Sequence, residues 1–301
     1  DAKYNVVAKE DILDPSNDGT VLFKKGTVVE TLVTGNDGKA TTKKLPLGKY
    51  EVVEVEAPSG MVLNKNSQTV ELKYKDQYTA IVMSSSSFVN ERQKVEAKVI
   101  KVDSEQSTIG LSGGEFNFVA KEDIRNADGT VIVKANSVIS KFISDSNGEI
   151  NLNDMDLPLN YNFEMVETKA PIGYVLDETP VQINTDYQGQ NVEKIVISKT
   201  KTNKATEVDF SKTDVTTNKE LPGNHLTVFE KDNEGSSFET WISGDKPHTV
   251  KNLSTDTRYI LRETSSVKGF YIANNIEFEI DQKGNVYVYE DGNKVLAKDH
   301  L

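Results

Sequence analysis

Short runs in which apolar and polar residues alternate follow one another along the whole chain. In LPLGKYEVVEVEAPSG, the stretch from Leu45 to Gly60, a turn leads into an alternating run that includes Tyr50 and Val52, and a second turn ends it. Asp-Gly and Asn-Gly pairs, which supply the positive φ that tight hairpins need, separate such runs. They begin at Asp18, Asp37, Asp128 and Asn147. Because no stretch keeps a helical period over three turns, the pattern predicts an all-β chain of antiparallel β-sandwiches.

The same pattern returns at intervals of a domain's length. The stretch from Leu45 to Gly60 recurs as DLPLNYNFEMVETKAPIGY, from Asp156 to Tyr174, and more loosely as NLSTDTRYILRETSSVKGF, from Asn252 to Phe270. The letters AKEDI also occur twice. Self-similarity at this spacing indicates repeated domains rather than a solenoid.

The polar joints between the repeats divide the chain into three expected domains, residues 1–92, 93–203 and 204–301. The joints NERQKVEAK, from Asn90 to Lys98, and SKTKTNKATE, from Ser198 to Glu207, are short and contain no proline or glycine. Such joints favour closely strung domains over flexible tethers. We therefore expect three sandwiches in tandem, arranged as a rod.

A glutamate stands at one place in every copy, near the end of the run, where the alternation turns a side chain inward. These residues are Glu54, Glu167 and Glu263. Acidic side chains are almost never fully buried unless they are paired. Two interpretations remain open: solvated residues at a sheet edge, or carboxyl groups held in the core for a chemical purpose.

Composition excludes several classes of function. The 301 residues include no cysteine, which rules out disulfides and thiolate chemistry, and the net charge of −12 argues against a nucleic-acid partner. No apolar run is long enough to cross a bilayer, so no membrane insertion is expected. The stretch from Asp14 to Gly19 predicts a hairpin turn, because Lys25 stands where a calcium loop needs a bidentate glutamate. His225, His248 and His300 lack metal-ligand spacing, so no metal or cofactor is expected.

The repeated phrase, LPxGxYxxxExxAPxGY in its general form, follows a strand that carries KVD in the second copy. It resembles the Cna B-type, or SpaA-like, prealbumin-like domains of Gram-positive surface adhesins and pilins. The third copy is similar to the B-type domain of a streptococcal fibronectin-binding protein. That similarity is carried by FSKTD at Phe210–Asp214, KELPG at Lys219–Gly223, TWIS at Thr240–Ser243 and RETSSVKGF at Arg262–Phe270.

The resemblance implies autocatalytic isopeptide chemistry. A lysine on the first strand attacks the side-chain carbonyl of an Asn or Asp on the last strand, and a buried Glu assists. Burial must supply a neutral amine, the acid must carry protons, and the sandwich must hold the reacting groups together. The resemblance assigns Glu54, Glu167 and Glu263 as the acids, Lys101 and Lys212 as nucleophiles, and Asn90 as an acceptor. The alternative for both lysines is an exposed position on a strand.

The acceptor positions depart from the family pattern. Asn90 fits, but the first domain is expected to lack the strand that carries its lysine. The last strand of the second domain, VEKIVISKTK, presents Ser198 and Lys199 where the acceptor is expected, and Asn203 comes late. In the third domain the acceptor strand is expected to begin near His300. We therefore expect no efficient bond in the first domain, and Lys101 with Asn203 as the pair if the second domain forms one.

Three functions follow from the resemblance. The preferred one is a stalk segment of a Gram-positive, cell-wall-anchored surface adhesin, extracellular and monomeric, with its anchor outside this sequence. Its partner is expected to be a host extracellular-matrix protein bound by another part of the parent protein. The alternatives are a backbone or minor pilin subunit, and an accessory β-sandwich module of a secreted enzyme. In none of them is the chain an enzyme beyond a single intramolecular turnover.

Overall fold

The computed structural model describes residues 1–16 and 18–297. Nearly all of its regular structure is β, with one 3-10 helix at Asn153–Met155 and no α-helix in the described residues. The chain divides into two compact units. The first contains Asp1–Glu96, Met155–Asn160 and Thr185–Val196; the second contains Ala97–Asp154, Tyr161–Asn184 and Ile197–Leu301.

The first domain, which lies in the first unit, is built on a four-stranded antiparallel sheet with the order β4-β1-β5-β6. Its strands are β1 Lys3–Ala8, β2 Ile12–Leu13, β3 Val21–Phe23, β4 Val28–Val33, β5 Gly48–Glu56 and β6 Gln68–Leu72. The alternation predicts which side chains of the two central strands turn inward. Val6, Ala8, Ile12 and Tyr50 form the buried cluster of this domain.

The second domain has two main sheets, with the orders β11-β8-β13-β14 and β12-β7-β15, and a small two-stranded sheet, β10-β9. Its strands are β7 Lys94–Asp103, β8 Glu115–Ala120, β9 Ile124–Arg125, β10 Val131–Val133, β11 Val138–Ile143, β12 Glu149–Asn151, β13 Asn162–Lys169, β14 Val181–Asn184 and β15 Lys194–Asn203. Within the second unit, Phe118 and Phe163 stack in the core with ring centroids 5.0 Å apart. The first strand, β7, and the last, β15, are neighbours in the three-stranded sheet. The two ends of this domain's sequence therefore meet.

The third domain, which lies in the second unit, pairs a two-stranded sheet, β16-β19, with a six-stranded sheet of order β18-β17-β20-β21-β22-β23. Its strands are β16 Glu207–Phe210, β17 His225–Glu230, β18 Ser237–Ile242, β19 His248–Lys251, β20 Arg258–Ser265, β21 Ile276–Ile280, β22 Val286–Glu290 and β23 Asn293–Leu296. Its core includes Phe210, Trp241 and Phe278. The acceptor strand expected near His300 lies outside the described residues.

The prediction of an all-β chain of tandem sandwiches is confirmed. The three glutamate-bearing strands, β5, β13 and β20, each pair with the strand that corresponds to β1, namely β1, β8 and β17. Each glutamate therefore has the same place in its sheet. That shared place defines the candidate site.

Candidate functional site: a lysine, a glutamate and an asparagine in the core of the second domain

All three recurrent glutamates are buried, with exposed fractions of 2% for Glu54, 1% for Glu167 and 5% for Glu263. The strand period explains this burial. Along β13, Phe163, Met165 and Glu167 are the buried residues, so the acid occupies the next inward position after two core side chains. The interpretation as solvated sheet-edge residues is therefore wrong.

In the second domain, Lys101 is fully buried beside Glu167. Along β7 the inward positions are Val95, Ala97, Val99 and Lys101, so the lysine continues an apolar row into the core. Its Nζ lies 3.3 Å from Glu167 Oε1, and both side chains are completely shielded from solvent. Burial lowers the pKa of Lys101 from 10.5 to about 8, although the charge of Glu167 acts in the opposite direction.

Asn203 occupies the other side of the same carboxyl group. Its Nδ2 donates to Glu167 Oε2 at 2.8 Å and to the carbonyl of Val175 at 2.5 Å, and the residue is 2% exposed. The expectation that the last strand presents Ser198 and Lys199 at the acceptor position is wrong. The strand β15 continues to Asn203, and its alternation leaves Ser198 and Lys199 exposed while it turns Lys201 and Asn203 inward.

Backbone contacts fix the two strand ends that carry these groups. The Ser104 N–H donates to the Asn203 carbonyl at 2.9 Å, which holds the end of β15 against the end of β7. The Lys101 N–H donates to the Gly148 carbonyl at 2.7 Å. Gly148 has φ of +77°, and a Cβ there would lie 2.1 Å from the Lys101 carbonyl oxygen. The predicted Asn147-Gly148 turn therefore allows the close approach that positions the lysine.

A second ion pair closes the site from the side of β15. Lys201 Nζ lies 2.7 Å from Asp177 Oδ2 and donates to the Thr179 carbonyl at 2.7 Å, while the Asp177 N–H donates to Glu167 Oε2 at 3.0 Å. Burial alone would raise the pKa of Asp177, but hydrogen bonds from Lys201 and Thr179 outweigh it and lower that pKa to about 2. Sequence reasoning missed this pair. Counting the alternation back from Asn203 would have placed Lys201 in the core.

Unpartnered polar atoms are concentrated at this site. Among the described residues, four buried side-chain N or O atoms have no hydrogen-bond partner: Lys101 Nζ, Glu167 Oε1, Asn203 Oδ1 and Glu263 Oε1. Three of the four belong to one cluster. Lys101 Nζ and Glu167 Oε1 are 3.3 Å apart and form an ion pair, so neither lacks an electrostatic partner. A buried polar atom without a hydrogen bond is uncommon in folded proteins, because it costs about 1–3 kcal/mol of desolvation. Three such atoms around one carboxyl group indicate chemistry rather than packing.

The first domain has the equivalent glutamate and asparagine, but a tyrosine hydroxyl lies where the second domain has the lysine amine. Asn90 Nδ2 donates to Glu54 Oε2 at 2.7 Å, and the Tyr4 hydroxyl donates to Glu54 Oε1 at 3.1 Å. Burial and the neighbouring carboxylate raise the pKa of Tyr4 to about 12, so its hydroxyl stays a donor. Sequence reasoning missed this role of Tyr4. Tyr4 lies at the β1 position that Phe116 occupies on β8, so comparing the repeats would have revealed the added hydroxyl group.

The third domain brings Lys212 to Glu263. Lys212 Nζ lies 3.1 Å from Glu263 Oε2, with exposed fractions of 16% and 1% for the two side chains. Lys212 follows Val208 and Phe210 at the strand period, which explains its inward direction. Within the described part of the chain, no asparagine or aspartate side chain hydrogen-bonds to Glu263. The Ala273 N–H, at 2.6 Å from Oε2, takes that side of the carboxyl group.

No group of three or more potential metal ligands occurs among the described residues. In the same residues, no helix is long and apolar enough to span a membrane.

Among solved structures, the chain is similar to the Bacillus anthracis TIE protein, with a TM-score of 0.54 and 24% identity over 94% of this chain and 46% of that one. It thus spans less than half of the TIE chain. The C-terminal fragment of the pilus adhesin SpaC from Lactobacillus rhamnosus GG aligns with a TM-score of 0.39 and 16% identity, over 67% of this chain and 88% of that one. The shaft pilin SpaA of the same organism gives 0.27 and 13%, over 63% and 94%. The likeness to the TIE protein concerns the fold.

No curated protein matches the sequence. The family model for the SpaA prealbumin-like fold domain matches it three times, over residues 2–86, 95–201 and 206–294. These matches cover nearly the whole chain and follow the three sandwiches. The chain belongs to the family of SpaA prealbumin-like fold domains.

Proposed function

We propose that this chain is a structural segment of a Gram-positive surface adhesin, and that its second domain forms its own isopeptide bond between Lys101 and Asn203. The observation that carries the bond is the placement of a buried amine and a buried amide on the two oxygens of Glu167. The family and its motifs support the surface role.

The reaction balances without a co-reactant. Lys101 Nζ attacks the side-chain carbonyl carbon of Asn203, a C–N bond forms, and the bond to Nδ2 breaks to release one ammonia. A proton from the attacking nitrogen passes to Glu167 Oε1, and a proton from the same carboxyl group goes to the leaving nitrogen, which lies 2.8 Å from Oε2. The carboxyl group ends as it began, and the reaction occurs once per chain.

Burial of the Lys101 amine and its alignment with Asn203 accelerate the proposed bond formation. With a pKa of about 8, roughly a tenth of Lys101 amines are neutral at pH 7, against about 0.03% for an ordinary lysine. Fixing the two side chains on one carboxyl group replaces a bimolecular encounter by an intramolecular one. The product also replaces a buried amine and a primary amide by one secondary amide, which reduces the number of unpaired polar groups.

The other two domains have different roles in this proposal. In the first, the Tyr4 hydroxyl occupies Glu54 Oε1, so the domain carries a stable hydrogen-bonded acid instead of a reaction site. In the third, Lys212 and Glu263 are together, and bond formation depends on an acceptor that the described residues do not provide.

A crosslink between the first and last strands suits a stalk, because tension applied through the two strands passes through a covalent bond instead of the sheet. The segment would stand outside the cell on a wall anchor that lies elsewhere in the parent protein. Contact with host extracellular-matrix protein would come from another part of that protein. A pilin subunit would need the same strength.

Intact-mass measurement tests the bond. We expect the purified chain to weigh one ammonia less than its sequence, and Lys101→Ala, Asn203→Ala and Glu167→Gln to keep the full mass. Lys98→Ala is the matched control, because Lys98 lies on the same strand but points to solvent, where it pairs with Glu149. Full mass in the unmodified chain, or a loss of ammonia that persists in Lys101→Ala, would reject the assignment.

A further inference from the structure

A short segment follows the glycine at the end of each repeated phrase; among the described residues it is packed in two domains and exposed in the third. We call it the post-glycine segment: Met61–Leu63, Tyr174–Leu176 and Phe270–Ile272. Its register is fixed by the residue that follows it, since the N–H groups of Asn64, Asp177 and Ala273 each donate to the second oxygen of the domain's buried glutamate. The three segments are therefore structurally equivalent.

In the first unit, this segment forms a junction with residues of the following repeat. The Leu63 N–H donates to the Gln190 carbonyl at 2.8 Å, and the Tyr187 hydroxyl donates to the Met61 carbonyl at 3.0 Å. Leu159 packs beside Gly60, where an added Cβ would lie 3.7 Å from its Cδ1.

In the second unit, the post-glycine segment also contacts the following repeat. The Leu176 N–H donates to the Gln282 carbonyl at 2.9 Å. Gly173 packs so closely on Asn252 that a Cβ would lie 2.7 Å from the Asn252 carbonyl oxygen. Gln282 and Asn252 lie in the loops that correspond to those of Tyr187 and Asp156. Both junctions therefore share the donation from the segment's third N–H to a carbonyl of the following repeat, whereas among the described residues a tyrosine hydroxyl binds the segment in the first junction alone.

None of the described residues covers the third post-glycine segment in this way. Phe270, Tyr271 and Ile272 are 43%, 97% and 58% exposed. The Ile272 N–H has no hydrogen-bond acceptor within the described residues, whereas its counterparts on Leu63 and Leu176 are both satisfied. Three consecutive apolar residues left in water, next to an unused donor, are typical of an interaction surface.

The first domain carries a free counterpart of the receiving surface. The letters Leu157-Pro158-Leu159 recur as Leu45-Pro46-Leu47, and Leu47 is 45% exposed. The strand pairing shows that Tyr74 is the equivalent of Tyr187. Ile183 pairs with Phe163 in the second domain as Val70 pairs with Tyr50 in the first, and each tyrosine follows four residues later. Tyr74 is 68% exposed, and with Leu45, Leu47, Leu72, Ile81 and Met83 it lines an open groove that has Lys43, Lys44 and Lys75 among its polar lining residues.

We infer that Phe270–Ile272 of one chain docks on the Leu45–Leu47 and Tyr74 surface of a second copy, which repeats between molecules the junction of the first unit. Tyr74 donates its hydroxyl to the Phe270 carbonyl, and Ile272 fills the groove. Because the two surfaces differ, the contact is heterologous and continues head to tail. This departs from the monomer expected from sequence. An untethered contact lacks the high effective concentration of a tandem joint, so the association is weak.

Sedimentation velocity from micromolar to millimolar protein tests this contact. We expect the sedimentation coefficient to rise with concentration, and Ile272→Asp or Tyr74→Asp alone to abolish the rise. Ile242→Asp is the matched control, because Ile242 has nearly the same exposure, 60%, in the same domain. It should associate like the unmodified chain.

Mixing the two variants sharpens the test. Ile272→Asp keeps the receiving surface and Tyr74→Asp keeps the segment, so the mixture should form dimers that cannot grow further. A chain that stays monomeric at every concentration overturns the inference. Association that survives in either variant, or a mixture that stays monomeric, also overturns it.

Discussion

Lys101 is the residue whose ionisation sets the rate of the proposed reaction. Its pKa is lowered to about 8, so the neutral, nucleophilic fraction increases as the pH rises through that value and then levels off. We expect crosslinking to accelerate about tenfold per pH unit below pH 8 and to flatten above it. Chain isolated unfolded and then refolded at a series of pH values, with the loss of ammonia followed by mass, measures this. A rate that is flat from pH 6 to 8 would contradict it.

The positive charge of Lys201 lowers the pKa of Lys101. Lys201 is 5% exposed and repels a proton on Lys101, whereas Asp177 attracts one. In Lys201→Met the repulsion is gone and Asp177 is left unneutralised, so both changes raise the pKa of Lys101. We expect the pH–rate profile to move to higher pH in this variant. A merely structural role would lower the rate at every pH without moving the profile. The double variant with Asp177→Asn should move the profile back toward its original position.

Within the elements of the first domain, Tyr4 on β1 stabilises the acid on β5. Removing its hydroxyl in Tyr4→Phe leaves Glu54 Oε1 buried without this partner, which should cost about 1–3 kcal/mol of unfolding free energy. Urea unfolding measures the loss, and Tyr78→Phe, at an 87% exposed position, is the control. An unchanged midpoint in Tyr4→Phe would show that Glu54 finds another donor.

The same hydroxyl gives the first domain a pH dependence. The pKa of Tyr4 is raised from 10.0 to about 12, so between these values the unfolded chain loses a proton that the folded chain keeps. Stability from this group is complete below pH 10 and declines as the pH rises toward 12. In Tyr4→Phe that part of the alkaline decline should be absent.

At the level of strands, the proposed bond joins β7 to β15 across almost the whole second domain. By analogy with a disulfide that closes a loop of this length, the bond should stabilise the domain by about 4–5 kcal/mol. Lys101→Met and Asn203→Ala each remove it, so the double variant should lose little more than either single variant. Thermal and urea unfolding provide the comparison. Two losses that simply add would indicate independent packing effects.

For the whole molecule, the crosslink determines how the chain extends under load. With force applied at the two termini, the segment between Lys101 and Asn203 stays closed, while the other two domains unfold and lengthen. We expect single-molecule pulling of the unmodified chain to release less contour length than pulling of Asn203→Ala. The difference should equal the extended length of that segment. Equal contour lengths would mean that the second domain is not covalently closed.

The sequence by itself determined the fold class and the repeats, and its alternation placed the three glutamates at inward positions, although burial in the core was decided only by the structure. The reason is that period-two alternation and Asp-Gly or Asn-Gly turns are local properties, which a strand expresses whatever its neighbours are. Counting every second residue along each strand leads to Glu54, Glu167 and Glu263, and this count does not require knowing which strands pair. For Lys212 the family resemblance proposed the role, and an exposed position stayed open until the structure placed its amine beside Glu263.

Only the tertiary structure decided which groups meet. Asn203 belongs to the site because β15 continues to it and lies beside β7, and a sequence cannot show where a strand ends against a distant partner. Tyr4 replaces a lysine amine at Glu54, and Asp177 neutralises Lys201, through contacts between residues far apart in the chain. Distances of this kind depend on sheet register and loop packing, which arise only when the strands assemble.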